Sequence, residues 1–162
     1  MGMPATPRAP RHTDPAEEAA MLNAIERWLE KEVRPQVMRL EHDDIYPREM
    51  VETMKRMGLF GAVLDPQWGG LGLSASTYAK IVMKISTVWM SLTGIFNSHL
   101  MMAMLVERYG TGEQKARFLA PFDGDGPPVW GAMAITEPGA GSDAAAIQTT
   151  AVLDGDEWVL NG

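Results

Sequence analysis

The chain has no cysteine. Disulfides, thiolate nucleophiles and cysteine-bound metals are therefore excluded. Histidine is scarce: His12, His42 and His99 lie far apart and lack metal-ligand spacing. Each is read as a core, cap or surface residue, and no metal site is expected. Basic charge is also in short supply. Fourteen Lys and Arg against 21 Asp and Glu leave a net charge of -7 and a pI near 4.9, which gives nucleic acid no electrostatic footprint. Long hydrophobic runs are missing: the longest, LMMAMLV at 100–106, falls far short of the roughly 18 residues needed to span a bilayer. The N-terminus lacks the continuous apolar stretch of a secretory signal. MGMPAT matches the myristoylation pattern formally, but Pro4 and the lack of a second membrane signal mark it as a chance match. A cytoplasmic protein without a membrane span is the resulting expectation.

What is present is ordinary globular composition. Of 162 residues, 46% are hydrophobic and 22% charged, which suits one domain, or one domain and part of another. Residues 1–14, rich in Pro and Arg, read as a disordered tail. From Asp14 the pattern is helical: Asp14 caps, Pro15 takes the first helical position, and Leu22, Ile25, Leu29 and Val33 form one stripe. Pro35 should kink or end this helix before the pattern resumes through Val37 and Leu40. A second helix is expected from about Pro47 to Met57, with Met50, Val51 and Met54 inward and Gly58 as its stop.

DPQWGGLGLS is a loop. Ser74 caps a third helix, where Tyr78, Ile81, Val82, Ile85 and Trp89 form the apolar face. A fourth, from about Leu92 to Tyr109, is apolar nearly all round and should be buried in a bundle. Thr111 opens a short fifth. The 13 methionines read as bundle filling, and Trp89 and His99 as packing residues. Arg108, Lys115 and Arg117 read as a solvated face. After Pro121 the texture changes. DGDGPP is a linker, VWGAMAIT is strand-like, and TTAVLDGDEWVLNG reads as a hairpin turning at Asp154-Gly155. The chain stops at Asn161-Gly162, another turn signal, so the expectation is a fragment of a longer protein. The fold class is mostly α: an N-terminal helical bundle (15–122) followed by the first strands of a β domain (123–162), an α+β fragment.

TEPGAGSD, residues 136–143, is a glycine loop with hydroxyls at Thr136 and Ser142 and a carboxylate towards each end. Glycines permit tight turns and close approach, and free N–H groups with hydroxyls can bond anionic or carbonyl oxygens. The loop lacks the Lys of a triphosphate-binding loop and the third glycine of the dinucleotide fingerprint. Taken alone, it could be a plain surface turn.

Four stretches in order, QWGGLGLS, YGTGEQKARFL, AMAITEPGAGSD and DGDEWVLNG, resemble the N-terminal part of an acyl-CoA dehydrogenase. The resemblance implies FAD as cofactor, with Met133, Ala134, Ile135 and Thr136 along the flavin ring. It implies Ile135 and Thr136 at the pyrimidine edge, Gly141 and Ser142 at the pyrophosphate, and Ser142 also touching the acyl-CoA substrate. Met133 stands where the family commonly has an aromatic residue. The implied reaction is α,β-dehydrogenation of an acyl-CoA thioester in fatty acid metabolism, with electron-transfer flavoprotein as reoxidant and a homo-oligomer, a tetramer, when full length. The glutamate base is expected beyond Gly162, so no catalytic residue is assigned and the fragment alone should be inactive. Glu137 and Asp143 should set the turn through local hydrogen bonds. Two alternatives stay open: a flavin oxidase or nitroalkane oxidase on the same scaffold, and a truncated, non-catalytic helical interaction module.

Overall fold

Helix α1 (Pro15–Trp28) begins where expected. The Asp14 carboxylate accepts from the N–H groups of Ala16 and Glu17 at 2.8 and 3.2 Å, with Pro15 leading the first turn. Ile25, Leu29 and Val33 are buried, and Leu22 packs at the edge of the core. Pro35 acts as its chemistry requires. It has no N–H to give to the preceding turn, and the ladder slips to a π-helical stretch at Leu29–Val33, where Arg34 N–H donates to Leu29 O at 2.8 Å. The Gln36 side chain takes up the Glu32 carbonyl at 2.8 Å. The chain then re-enters helix as α2 (Val37–His42), followed by α3 (Arg48–Arg56), which buries Met50, Val51 and Met54.

The computed structural model describes residues 11–119 and 130–162, which divide into two units at Ala132/Met133. The boundary expected at 122/123 lies outside the described residues, and Trp130 and Gly131 group with the helices. Residues 1–10 of the expected tail and the DGDGPP linker also lie outside them. Residues 11–14 correct the tail reading. The Arg11 guanidinium donates to the carbonyls of Val63 and Leu64 at 2.8 and 3.0 Å and pairs with Asp65 at 3.0 Å. The Ser74 N–H donates to Thr13 Oγ1 at 3.0 Å. A fork-shaped donor with five N–H groups can serve two carbonyls and a carboxylate together, and that demand outweighs the local Pro-rich composition.

Helix α4 (Ala75–Tyr109) carries the expected third and fourth helices. Ser74 caps it through the Thr77 N–H at 3.1 Å. It is not one rod: Trp89 has extended dihedrals (φ -155°, ψ 102°). The Tyr78 hydroxyl donates to Asn97, 19 positions on, and the Tyr78 and Phe96 rings lie 6.3 Å apart edge to face. In a straight helix such positions stand roughly 28 Å apart. The helix therefore folds back at Trp89 into two arms. Its length and hydropathy alone would suffice to cross a membrane; the fold-back and the burial of Ile81, Ile85, Leu92, Phe96 and Leu100 in the main core instead make it a core hairpin of helices.

The reading of the second arm as buried all round is corrected. Leu92, Phe96, His99, Leu100 and Ala103 face inward, whereas Met90, Met101, Met104 and Leu105 are exposed, Met90 by 73%. Packing of the described elements covers one face of this arm. The methionine reading is corrected likewise: Met50 and Met54 fill the core, but Met38, Met83 and Met90 point outward. Helix α5 (Gly112–Phe118) opens on a capping box, Thr111 Oγ1 accepting from Gln114 N–H and Gln114 Oε1 from Thr111 N–H. Between α1 and α4, Glu18 accepts from the Thr77 hydroxyl at 2.6 Å and pairs with Lys80, and Lys84 pairs with Glu26 at 2.9 Å.

His99, 1% exposed, packs against Phe60 with ring centroids 5.8 Å apart. Its Nδ1 accepts the Gly131 N–H at 3.0 Å. Burial penalises the imidazolium and pulls its pKa down to about 4. The ring is therefore neutral, with its proton on Nε2, the tautomer that the Gly131 bond assigns.

In the second unit, β1 (Thr150–Asp154) and β2 (Glu157–Asn161) form an antiparallel hairpin with Val152 opposite Val159. The two-residue loop is Gly155-Asp156, one residue beyond the expected Asp154-Gly155. Positive φ falls on Gly155 alone (59°), the pattern of a type II′ loop, where glycine takes the first central position. The strand expected in VWGAMAIT is also corrected. Among the described residues, 130–136 join no ladder, and β1 and β2 pair only with each other.

Two outcomes follow. Replacing Arg11 by Met removes the donor from two carbonyls and should destabilise the purified chain by about 1–3 kcal/mol, read as a lower urea midpoint; an unchanged midpoint would show residues 11–14 to be unimportant. For His99 the unfolded ring binds a proton near its ordinary 6.5 and the folded ring near 4. The unfolded state thus holds more protons between these values, so stability is full above about pH 6.5 and declines by up to about 3 kcal/mol as pH falls towards 4. Denaturation across this window should show that slope in the wild type and a flatter one in His99→Asn.

Candidate functional site

The loop at 136–143 is built by one carboxylate and one reciprocal backbone pair. Glu137 N–H donates to Ala140 O at 2.9 Å and Ala140 N–H to Glu137 O at 3.1 Å, closing a tight turn over Pro138 and Gly139. The Glu137 side chain then reaches 11 and 12 residues on. It accepts from the N–H groups of Gln148 and Thr149 at 2.8 and 2.9 Å and from the Thr149 hydroxyl. These bonds, the Thr149 hydroxyl foremost, hold its carboxyl below the usual carboxylate range. With its oxygens engaged in this way, Glu137 is a structural fastener, but the local bonds expected of it and of Asp143 are corrected. Its partners lie 11 and 12 residues on, and among the described residues Asp143 engages only its backbone carbonyl, through Ala146. The loop continues through a short 3₁₀ turn at Ala144–Ala146, where Ala146 N–H returns to Asp143 O at 3.0 Å.

That closure sets the expected site residues in two groups. Met133, Ala134, Ile135 and Thr136 run as an exposed segment into the turn, and Gly141 and Ser142 leave it on the other side. The Glu137–Ala140 bridge brings the two groups alongside each other at Thr136 and Gly141. Among the described residues, the N–H groups of Gly139, Gly141 and Ser142 and the hydroxyls of Thr136 and Ser142 make no hydrogen bond. A Cβ placed on Gly139 or Gly141 would meet nothing within 4 Å. Met133 and Ile135 present apolar side chains, Ile135 49% exposed. The site thus offers an apolar edge beside free neutral donors in open space, with the Glu137 carboxylate occupied internally. Such a surface suits a flat ring system with an anionic group behind it.

Gln148 and Thr149, which hold the loop through Glu137, carried no signal in the sequence. Thr149 lies in a β-prone run and looks like any strand residue. Gly131 and His99 likewise became visible as partners only through the fold.

Residues 15–123 match the family described as "Acyl-CoA dehydrogenase, N-terminal domain". The chain is 33% identical over 147 residues to the short-chain specific acyl-CoA dehydrogenase of Clostridium acetobutylicum, covering 90% of this chain and 38% of that protein. Among solved structures it superposes with a TM-score of 0.81 and 31% identity on a chain of the electron transferring flavoprotein structure from Acidaminococcus fermentans, covering 94% of this chain and 40% of that one. It also matches a glutaryl-CoA dehydrogenase from Mycobacterium smegmatis in complex with FADH2, with a TM-score of 0.80, 25% identity, and coverage of 93% and 38%. This chain thus spans less than half the length of these relatives. With the family match covering residues 15–123, more than half of the chain, the chain belongs to the acyl-CoA dehydrogenase family.

Proposed function

We propose that the protein to which this chain contributes catalyses FAD-dependent α,β-dehydrogenation of an acyl-CoA thioester to the enoyl-CoA. The observation that carries this reading is the set of unengaged donors at Gly141 and Ser142 in a loop whose shape Glu137 holds. The residues present fit the cofactor. Met133–Thr136 would lie along the flavin ring, with Ile135 and Thr136 at its pyrimidine edge, and Gly141 and Ser142 would meet the pyrophosphate. When bound, FAD supplies the acceptor for the hydride that leaves the β-carbon. The Ser142 hydroxyl, free to donate, also orients the acyl-CoA. Met133 and Ile135 would exclude water from one face of the reacting pair. The α-proton acceptor is not assigned to any residue of this chain.

Family membership supports three further proposals: electron-transfer flavoprotein as reoxidant, a homotetrameric complete protein and a role in fatty acid metabolism; a cytoplasmic location is proposed from the cysteine-free sequence alone. The direct test uses the protein expressed from its complete coding sequence and loaded with FAD. Anaerobic addition of short-, medium- and long-chain acyl-CoA should bleach the visible flavin absorbance for at least one chain length. No bleaching with any of them would sink the dehydrogenase reading.

Two substitutions probe the loop. Ser142→Ala should raise the dissociation constant for FAD or acyl-CoA about fivefold, the scale of one hydrogen bond; unchanged flavin content together with an unchanged Michaelis constant would remove Ser142 from the site. Glu137→Ala releases the Gln148 and Thr149 N–H groups and should weaken FAD binding at least as much, measured by flavin fluorescence titration. Equal affinity in that variant would mean that the loop holds its shape without Glu137.

A further inference from the structure

The segment that enters the proposed flavin site is fixed to the helical unit immediately before it departs. Trp130 lies edge to face against Phe60 with ring centroids 4.9 Å apart and 72° between planes. It meets His99 the same way, at 6.2 Å and 88°. Gly131 donates its N–H to His99 Nδ1 at 3.0 Å. A Cβ on Gly131 would fall 2.3 Å from Met102 Cε and 2.7 Å from Met102 Cβ, so the backbone lies directly on α4. From Gly131 to Thr136 the described chain makes no backbone hydrogen bond other than this one. Met133 follows two residues later.

A buried histidine is a costly choice for filling space. Leucine would pack a comparable volume without desolvating two ring nitrogens. The imidazole supplies what leucine cannot: an acceptor for a part-buried N–H that would otherwise lie against α4 unsatisfied. The ring also meets Trp130 in a T-shaped aromatic contact that leucine cannot make.

Resting on the flavin reading of Met133–Thr136, we propose that His99 is a positioning residue. Its Nδ1 accepts the Gly131 N–H and its ring, with Phe60, clasps Trp130, so that the flavin-facing segment starts from one fixed point. His99 acts through Gly131 and touches neither substrate nor cofactor.

The test uses the FAD-loaded protein from its complete coding sequence, with two variants. His99→Leu removes the acceptor while retaining bulk. His99→Asn keeps an acceptor at the place of Nδ1, since the Asn side-chain oxygen stands at the same distance along the chain. Amide hydrogen exchange of the peptide containing residues 130–132 reads the clasp without reference to flavin, and fluorescence titration reads FAD affinity. The expected result is fast exchange and an FAD dissociation constant raised about fivefold in His99→Leu, with both values within about twofold of wild type in His99→Asn if one hydrogen bond is the cause. If His99→Leu does not fold, His99→Asn paired with Trp130→Leu carries the test, the latter loosening the clasp and raising the constant. Wild-type FAD affinity in a variant whose exchange is fast overturns the positioning role and leaves the flavin reading standing. Failure of the wild type to bind FAD overturns the flavin reading, and the positioning role falls with it.

Discussion

The reversal of α4 at Trp89 is the constraint on which the helical unit depends. Breaking a helix in its interior gives up ladder hydrogen bonds worth about 1 kcal/mol each. Folding it back lets both arms bury their stripes, Ile81 and Ile85 on one and Leu92, Phe96 and Leu100 on the other, at about 1.5–3 kcal/mol for each side chain. Burial wins by several-fold. The break is also made good locally. Trp89 Nε1 donates to Glu41 at 2.9 Å and the Ser91 hydroxyl to the same oxygen at 3.2 Å, while Thr87 and Thr93 hydroxyls donate to the Lys84 and Met90 carbonyls. Glu41, at the end of α2, thus ties the corner of the hairpin to the chain that follows the Pro35 kink.

The two units treat their polar groups differently. In the helical unit buried polar groups are largely turned inward and satisfied: Arg11 on Val63 and Leu64, Thr77 on Glu18, His99 on Gly131. A buried polar group left alone costs more than a made bond returns, so such pairs specify one arrangement of neighbours. In the second unit Glu137 gathers donors from Gln148 and Thr149, and the donors of Gly141 and Ser142 stay unspent. A rigid loop with free donors loses little further entropy when it meets a ligand, which is the economy of a preorganised binding surface.

His99 and Gly131 show how one residue can both fill a core and hold a neighbouring stretch of chain. His99 is a helix residue by position and a core residue by burial. Its acceptor nitrogen nonetheless gives the chain at Gly131 a fixed place on α4. Phe60, in a short 3₁₀ turn at Leu59–Gly61, supplies the second wall against Trp130.

Features set by neighbours along the chain were legible in the sequence. The Asp14, Ser74 and Thr111 caps, the Pro35 interruption, the inward Met50, Val51 and Met54, and the Asp-Gly hairpin depend on contacts within a few residues. The TEPGAGSD loop, with its ordered flanking motifs, pointed to the family by the same local chemistry. What depends on distant partners was not legible. Composition made residues 11–14 a tail, yet Arg11 finds carbonyls more than 50 positions away. Periodicity made the second arm of α4 buried all round, because hydropathy records what a face tolerates and not whether another element covers it. VWGAMAIT had the residues of a strand, but a strand exists only by pairing, and pairing is a property of two segments. Glu137 read as scaffold from the sequence, but through local bonds; only the fold, by bringing Gln148 and Thr149 onto its oxygens, supplied its partners.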